Sequence, residues 1–200
     1  YGGTVCGGSL GSGGGVHVSS GTFNMYGGRI SGNVSKDTSD GGGGGVFVCN
    51  SSTFNMSGNA AVSGNTAQYG SGVYLSSNST FTMSEHAAIS GNSAAMTGGG
   101  VFVSSGSITM SSDAAISGNS AGNNGGGIYI SYPGTFTMEN GNMSGSWEGI
   151  FETAEGGTRI HCTETVNARH WWMRPFVPGY LKRQQRLYLD DLRRELLRHS

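Results

Sequence analysis

Charge is what this 200-residue chain has least of. Lys, Arg, Asp and Glu together make up 12% of it and the formal net charge is -1, so the molecule as a whole carries no basic footprint for nucleic acid. Proline is down to 3 residues, and no run of 18 or more apolar residues occurs, which excludes a transmembrane helix. The three cysteines, Cys6, Cys49 and Cys162, have no metal-ligand spacing. Cys6 stands where its neighbouring repeat has Ser31, and Cys49 where its own has Ser19. Those positions lie on different sides of the repeat, beyond the ~7 Å between Cα atoms that a disulfide spans. His17 and His86 belong to different faces, His161, His170 and His199 to the tail, and none is spaced as a zinc site. No Gly-Lys-Ser/Thr follows the glycine runs, and the Asp-bearing calcium nonapeptide is missing. No metal and no cofactor is expected.

What the chain has in excess is glycine, at 38 residues, arranged in a repeat. A Gly-rich run, an apolar-x-apolar pair, a Thr-Phe-Thr-Met-like tetrad and Ile-Ser-Gly-Asn recur five times. The copies begin at Val16, Val46, Val73, Val101 and Ile128, in steps of 30, 27, 28 and 27 residues. Periods of this length mark a solenoid. Tyr1 to Gly8 align with Tyr26 to Asn33, so the sequence is expected to begin in mid-coil, as a fragment.

Within one coil, Val101-Phe102-Val103 and Ile108-Thr109-Met110 alternate, and Ile116 opens a third apolar site. Strands send successive side chains to opposite faces, so the apolar members of each set can point inward together. Ser, Gly, Asn and Asp fill the intervals as turn material. Three short strands and three corners per coil are expected. Each inward position keeps one residue class from coil to coil: Phe23, Phe54, Phe81, Ile108 and Phe136, for example, then Met25, Met56, Met83, Met110 and Met138. Asn33, Asn65, Asn92 and Asn119 form a further ladder at one corner, where each amide can bond the next.

A lone coil cannot fold, because its five inward side chains contribute on the order of 10 kcal/mol while ordering ~27 residues of backbone costs more. Stacked coils share a core and add interstrand hydrogen bonds. The expected fold is an all-β, right-handed parallel β-helix of about five coils, ~24 Å long at ~4.8 Å per coil.

The run Gly-Gly-Gly-Val-Phe-Val-Ser-Ser…Thr-Met…Ala-Ile-Ser-Gly-Asn-Ser-Ala over 98 to 121 resembles the repeats of bacterial adhesin-like, right-handed β-helix surface proteins. More loosely, it is similar to autotransporter passengers and chlamydial polymorphic membrane proteins. The resemblance covers roughly residues 1–147. It implies a secreted or cell-surface protein, associated with the outer membrane, whose β-helix is a stalk or an adhesive surface.

The composition changes after Trp147: residues 1–147 hold two basic residues, Arg29 and Lys36, whereas 148–200 hold nine. The division expected is therefore a β-helix over 1–147 and a non-repeat tail over 148–200. Within the tail, Leu181, Tyr188, Leu192 and Leu196 recur on one face of a helix predicted over about 180–198. Three readings stay open: a cap in which the helix and Trp147, Trp171 and Trp172 cover the core's open end, a basic amphipathic segment for a membrane surface or partner, or an out-of-frame translation.

Polysaccharide lyases and hydrolases need clustered carboxylates or bases on one face. The repeats carry only Asp37, Asp40, Glu85, Asp113 and Glu139. Glu85 and Asp113 sit at near-equivalent corners of adjacent coils, with no Lys or Arg beside them, and the expectation is that the chain is not an enzyme. Two outward ladders remain. On the first strand His17, Phe47, Tyr74, Phe102 and Tyr129 face out between the buried pairs, a candidate site for a glycan or a host-surface protein; the same stack would also stabilise the sheet by neighbour contacts. On the second strand Thr22/Asn24, Thr53/Asn55, Thr80/Thr82, Ser107/Thr109 and Thr135/Thr137 form a polar array resembling the surfaces of β-helical ice-binding proteins, although Thr is also simply a good strand residue. The function expected is a non-enzymatic stalk or binding surface of adhesin type. The alternative is a fragment of a carbohydrate-active β-helix whose catalytic coils lie elsewhere.

Overall fold

The computed structural model describes residues 3–37, 42–131, 133–139, 142–144 and 160–163, which hold strands joined by turns, bends and irregular segments and no helix. The strands pair in parallel with their equivalents one coil away and build four sheets. The first sheet contains Val16–Ser19, Val46–Cys49, Val73–Leu75, Val101–Val103 and Ile128–Ile130. The second contains Thr22–Met25, Thr53–Met56, Ser79–Met83, Gly106–Ser111 and Thr135–Glu139, and the third Thr4–Cys6, Arg29–Ser31, Ala61–Ser63, Ala88–Ser90, Ala115–Ser117 and Asn142–Ser144. The whole is a parallel β-helix of about five turns.

The registers are those the repeat implies. Val5 pairs with Ile30, Val73 with Val46 and Val101, and Phe81 with Phe54 and Ile108. Inside, Val46, Val48, Val73, Leu75, Val101, Phe54, Phe81 and Met83 have no exposed surface. Stacking one residue class per column lets like shapes nest: the Phe54 and Phe81 rings lie 4.8 Å apart and 6° from parallel. Ala60, Ala87 and Ala114 complete the core just ahead of the third sheet.

The fourth sheet departs from the three-strand coil expected. Ser9–Leu10, Val34–Ser35, Thr66–Tyr69, Ser93–Thr97 and Ser120–Ala121 form it, between the Asn corner and the glycine corner. Its buried side chains are small or polar, Ser35, Ala67, Ala94 and Thr97, so its alternation carries little hydrophobic contrast and reads as loop.

The two corners lock each other. Each ladder Asn is a hub: Asn65 Oδ1 accepts the backbone N–H and the amide of Asn33 at 2.9 and 3.0 Å, while its own amide donates to Ile30 O at 3.1 Å and Asn92 Oδ1 at 3.0 Å. Asn92 repeats the pattern toward Asn119. Opposite them run the glycines. A Cβ at Gly100 would fall on Gly127 O and lie 2.9 Å from Asn119 Nδ2, and Gly98 takes a φ of 69° that L side chains rarely adopt. Where a serine replaces the middle glycine, Ser71 Oγ donates to Ser93 O at 2.7 Å and accepts the Ala67 N–H at 2.8 Å.

A further strand, Ile160–Thr163, pairs in parallel with Thr135–Glu139 and extends the second sheet. One compact unit spans Tyr1–Thr163. The division expected at 147/148, the three tryptophans and the helix predicted over 180–198 lie outside the described residues.

Candidate functional site

The five aromatic-ladder residues come together as one column on the outer face of the first sheet. Register pairs His17 with Phe47, Phe47 with Tyr74, Tyr74 with Phe102 and Phe102 with Tyr129. Their ring centroids are 5.0, 5.3, 4.8 and 5.2 Å apart, and the last three pairs lie within 23° of parallel. Ring face therefore meets ring face along the coil axis, and only ring edges point outward. Phe47 and Tyr74 retain 8% and 4% of their surface, whereas His17 is exposed and Phe102 and Tyr129 are half-buried. Tyr69, from the fourth sheet, reaches round the glycine corner to Phe102 at 5.8 Å. A pyranose packs its C–H face against an open ring face, and the middle of this column has given those faces to its neighbours. Such pairs contribute about 0.5–1.5 kcal/mol each beyond area burial, so the column ties coil to coil.

The polar array of the second sheet is placed differently. Thr22, Thr53, Thr80, Ser107 and Thr135 stand in register, and two residues on so do Asn24, Asn55, Thr82, Thr109 and Thr137. All ten are exposed or half-exposed, since their partners at the intervening positions fill the core. The Asn55 amide donates to Asn24 Oδ1 at 2.9 Å, which holds that end of the array flat. The result is two columns of hydroxyl or amide groups with a spacing of ~4.8 Å between rungs.

The described acids are scattered. Asp37 Oδ2 accepts from Ser12 Oγ at 2.8 Å, and Glu85 Oε2 accepts the Gly58 N–H at 2.9 Å. Asp113 lies 3.7 Å from His86 Nδ1, with both side chains about 70% exposed; it faces the histidine of the adjacent coil rather than Glu85, because Asp113 is one residue out of step with that acid. Cys6 and Cys49 are free thiols, exposed and buried respectively. His17 Nε2 contacts Cys49 Sγ at 3.3 Å, a diagonal meeting between adjacent strands that the alignment of Cys49 with Ser19 already contains.

Two features had no clear signal in the sequence. Gln68 and Met96 occupy the outer side of the fourth sheet, in strands that read as loop, and their place beside Lys36 and Asp37 follows only once that sheet is formed.

A family model described as NosD, periplasmic copper-binding protein, matches residues 5–167. No curated protein and no solved structure gives a significant match.

Proposed function

The chain belongs to the NosD family of periplasmic β-helix proteins, and on that premise we propose that it is a non-enzymatic envelope protein, an adhesin-like stalk that presents a repeating surface to a glycan. The observation that supports this best is the array on the second sheet, in which equivalent hydroxyl and amide groups recur in register over five strands. A ligand that repeats along its own length meets several rungs at once. Each hydrogen bond is worth only about 0.5–1.5 kcal/mol net, but linked contacts multiply through effective concentration. Sugar hydroxyls donate and accept, as the Thr and Asn side chains do. A host-surface protein suits the array less well, since protein interfaces are anchored by buried aromatic or Arg side chains, and the large apolar side chains exposed among the described residues are Val5, Tyr26 and Val34.

The non-enzymatic part of the reading is supported by three of the described carboxylates, Asp37, Glu85 and Asp113, which make separate contacts to Ser12, Gly58 and His86 rather than pairing across one substrate. The aromatic column, in this reading, stiffens the rod. An envelope location outside the cytoplasm accords with the family, and display at the cell surface is part of the proposal.

The family description names copper, so the donors bear on it. Among the described residues no three His, Cys, Asp or Glu side chains converge. His17 and Cys49, at 3.3 Å, supply two donors, whereas imidazole–thiolate copper centres take at least three. The His, Cys, Asp and Glu side chains of the described residues do not assemble a copper centre of that kind.

The test is binding to a panel of bacterial and host polysaccharides by affinity electrophoresis, with Thr80, Thr82 and Thr109 all replaced by Val. Retarded migration with at least one polysaccharide, lost in the triple variant, is the expected result. A wild-type chain that no polysaccharide retards, or a variant retarded equally, would overturn the proposal.

A further inference from the structure

The fourth sheet bears a shallow groove of about 360 Å³ on its outer side, at the small end of the ~300–1,000 Å³ typical of ligand sites. Three independent observations converge there. First, the register of the sheet breaks inside it: Ala67 pairs with Ala94 and Tyr69 with Thr97, so Gln68 alone opposes Ala95 and Met96. That is a β-bulge, the irregularity that re-aims side chains and gathers near binding sites. Second, Gln68 Oε1 is buried and has no hydrogen-bond partner. Buried acceptors are nearly always paired, and one left unpaired in a cavity calls for a donor from outside the fold. Third, the wall of the groove is Lys36 and Asp37, one of only two basic residues in 1–147 and a carboxylate held in place by Ser12.

We propose that this groove is a subsite for a single pyranose unit. The proposal rests on the glycan reading above and gives it a second, more selective contact. A sugar hydroxyl donates to Gln68 Oε1 as that side chain turns out into the groove. The apolar C–H face of the ring lies on Ala95 and Met96, whose sulfur accepts from the Asn123 amide at 3.6 Å. Lys36 donates to a ring or hydroxyl oxygen and Asp37 accepts from a neighbouring hydroxyl. An amphipathic ring thus meets an apolar floor with a polar rim, the usual arrangement of small-ligand sites. The bulge makes room that the regular coils do not have, which is why one subsite arises in an otherwise repetitive rod.

The experiment titrates methyl β-glucoside, methyl β-galactoside and N-acetylglucosamine separately into the full chain, with side-chain and backbone amides followed by NMR, for the wild type and Gln68→Leu. The expected result is a shift of the Gln68 side-chain amide and of the Ala67 and Met96 backbone amides with at least one probe. Gln68→Leu should weaken that binding by about tenfold or more, equivalent to about 1.4 kcal/mol. The variant should also melt no lower than the wild type, because it removes an unpaired buried acceptor; this separates lost binding from lost fold. No shift at the groove with any probe, or equal affinity in Gln68→Leu, sinks the subsite. If polysaccharide retardation nevertheless persists in wild type and Gln68→Leu alike, the glycan reading stands without the groove; if no polysaccharide is retarded at all, that reading falls by itself.

Discussion

Replacing Asn65 by Ala should be among the most damaging polar substitutions in the chain. The side chain is fully buried and takes part in four hydrogen bonds, two accepted from Asn33 and two donated to Ile30 O and Asn92 Oδ1. Truncation leaves the Asn33 backbone N–H and one of its amide hydrogens without a partner. Asn65 itself has no exposed surface and lies between the equally buried Asn33 and Asn92, so water does not enter the space it vacates. Two stranded donors at about 1–3 kcal/mol each give a loss of about 2–6 kcal/mol. Asn119 accepts the same pair of bonds from Asn92, at 3.0 and 2.9 Å, but it is half-exposed and solvent can replace part of what Ala removes; there the loss should be about 1 kcal/mol. With a urea m-value of about 2 kcal/mol/M, the midpoints should fall by about 1–3 M for Asn65→Ala and about 0.5 M for Asn119→Ala. Circular dichroism reads the midpoint, and hydrogen exchange checks that the coils unfold together, since repeat proteins can lose cooperativity. Equal losses at the two positions would refute the argument that buried, amide-to-amide pairing holds this corner.

Other positions discriminate as sharply. Gly100→Ala puts a Cβ onto Gly127 O and against the Asn119 amide and should cost about 3 kcal/mol or more through overpacking, whereas Gly118→Ala, with a φ of 61° but nothing within 4 Å, should cost only the left-handed penalty of about 1–2 kcal/mol; paired urea melts compare them. Phe81→Ala empties a fully buried site in the middle of the phenylalanine column and should cost about 3–5 kcal/mol, measured the same way. In native protein, Cys6 should alkylate rapidly and Cys49 only on unfolding, as their exposed and buried settings imply; peptide mapping after timed iodoacetamide labelling reports both.

The coil count, the registers and the inward columns were readable because Val-x-Val, Phe-x-Met and Ser-Gly-Asn hold their residue classes at fixed spacing, and parallel stacking converts that spacing directly into contacts. The Asn ladder was readable for the same reason. The fourth sheet was not, because Ala67 and Ala94 bury too little apolar surface to stand out from their Ser, Thr and Gln neighbours. For the aromatic ladder, alternation told which face of the sheet the side chains occupy and nothing about the planes of their rings. That torsional choice, set by contact between neighbours, decides whether Tyr74 and Phe102 present faces to a sugar or to each other. The Asp113–His86 pairing shows a related limit: a one-residue offset at a corner exchanges which side chains meet.

The Asn rungs from Asn65 to Asn92 and from Asn92 to Asn119 each join residues 27 apart, and the side chains on either side of each cut are alike. Excising one such interval would bring Asn33, or its equivalent, against an identical partner with every bond remade. Recombination between neighbouring repeats in the gene can therefore lengthen or shorten the rod by whole rungs without an intermediate that misfolds. The number of coils can thus change while the packing within each coil stays the same.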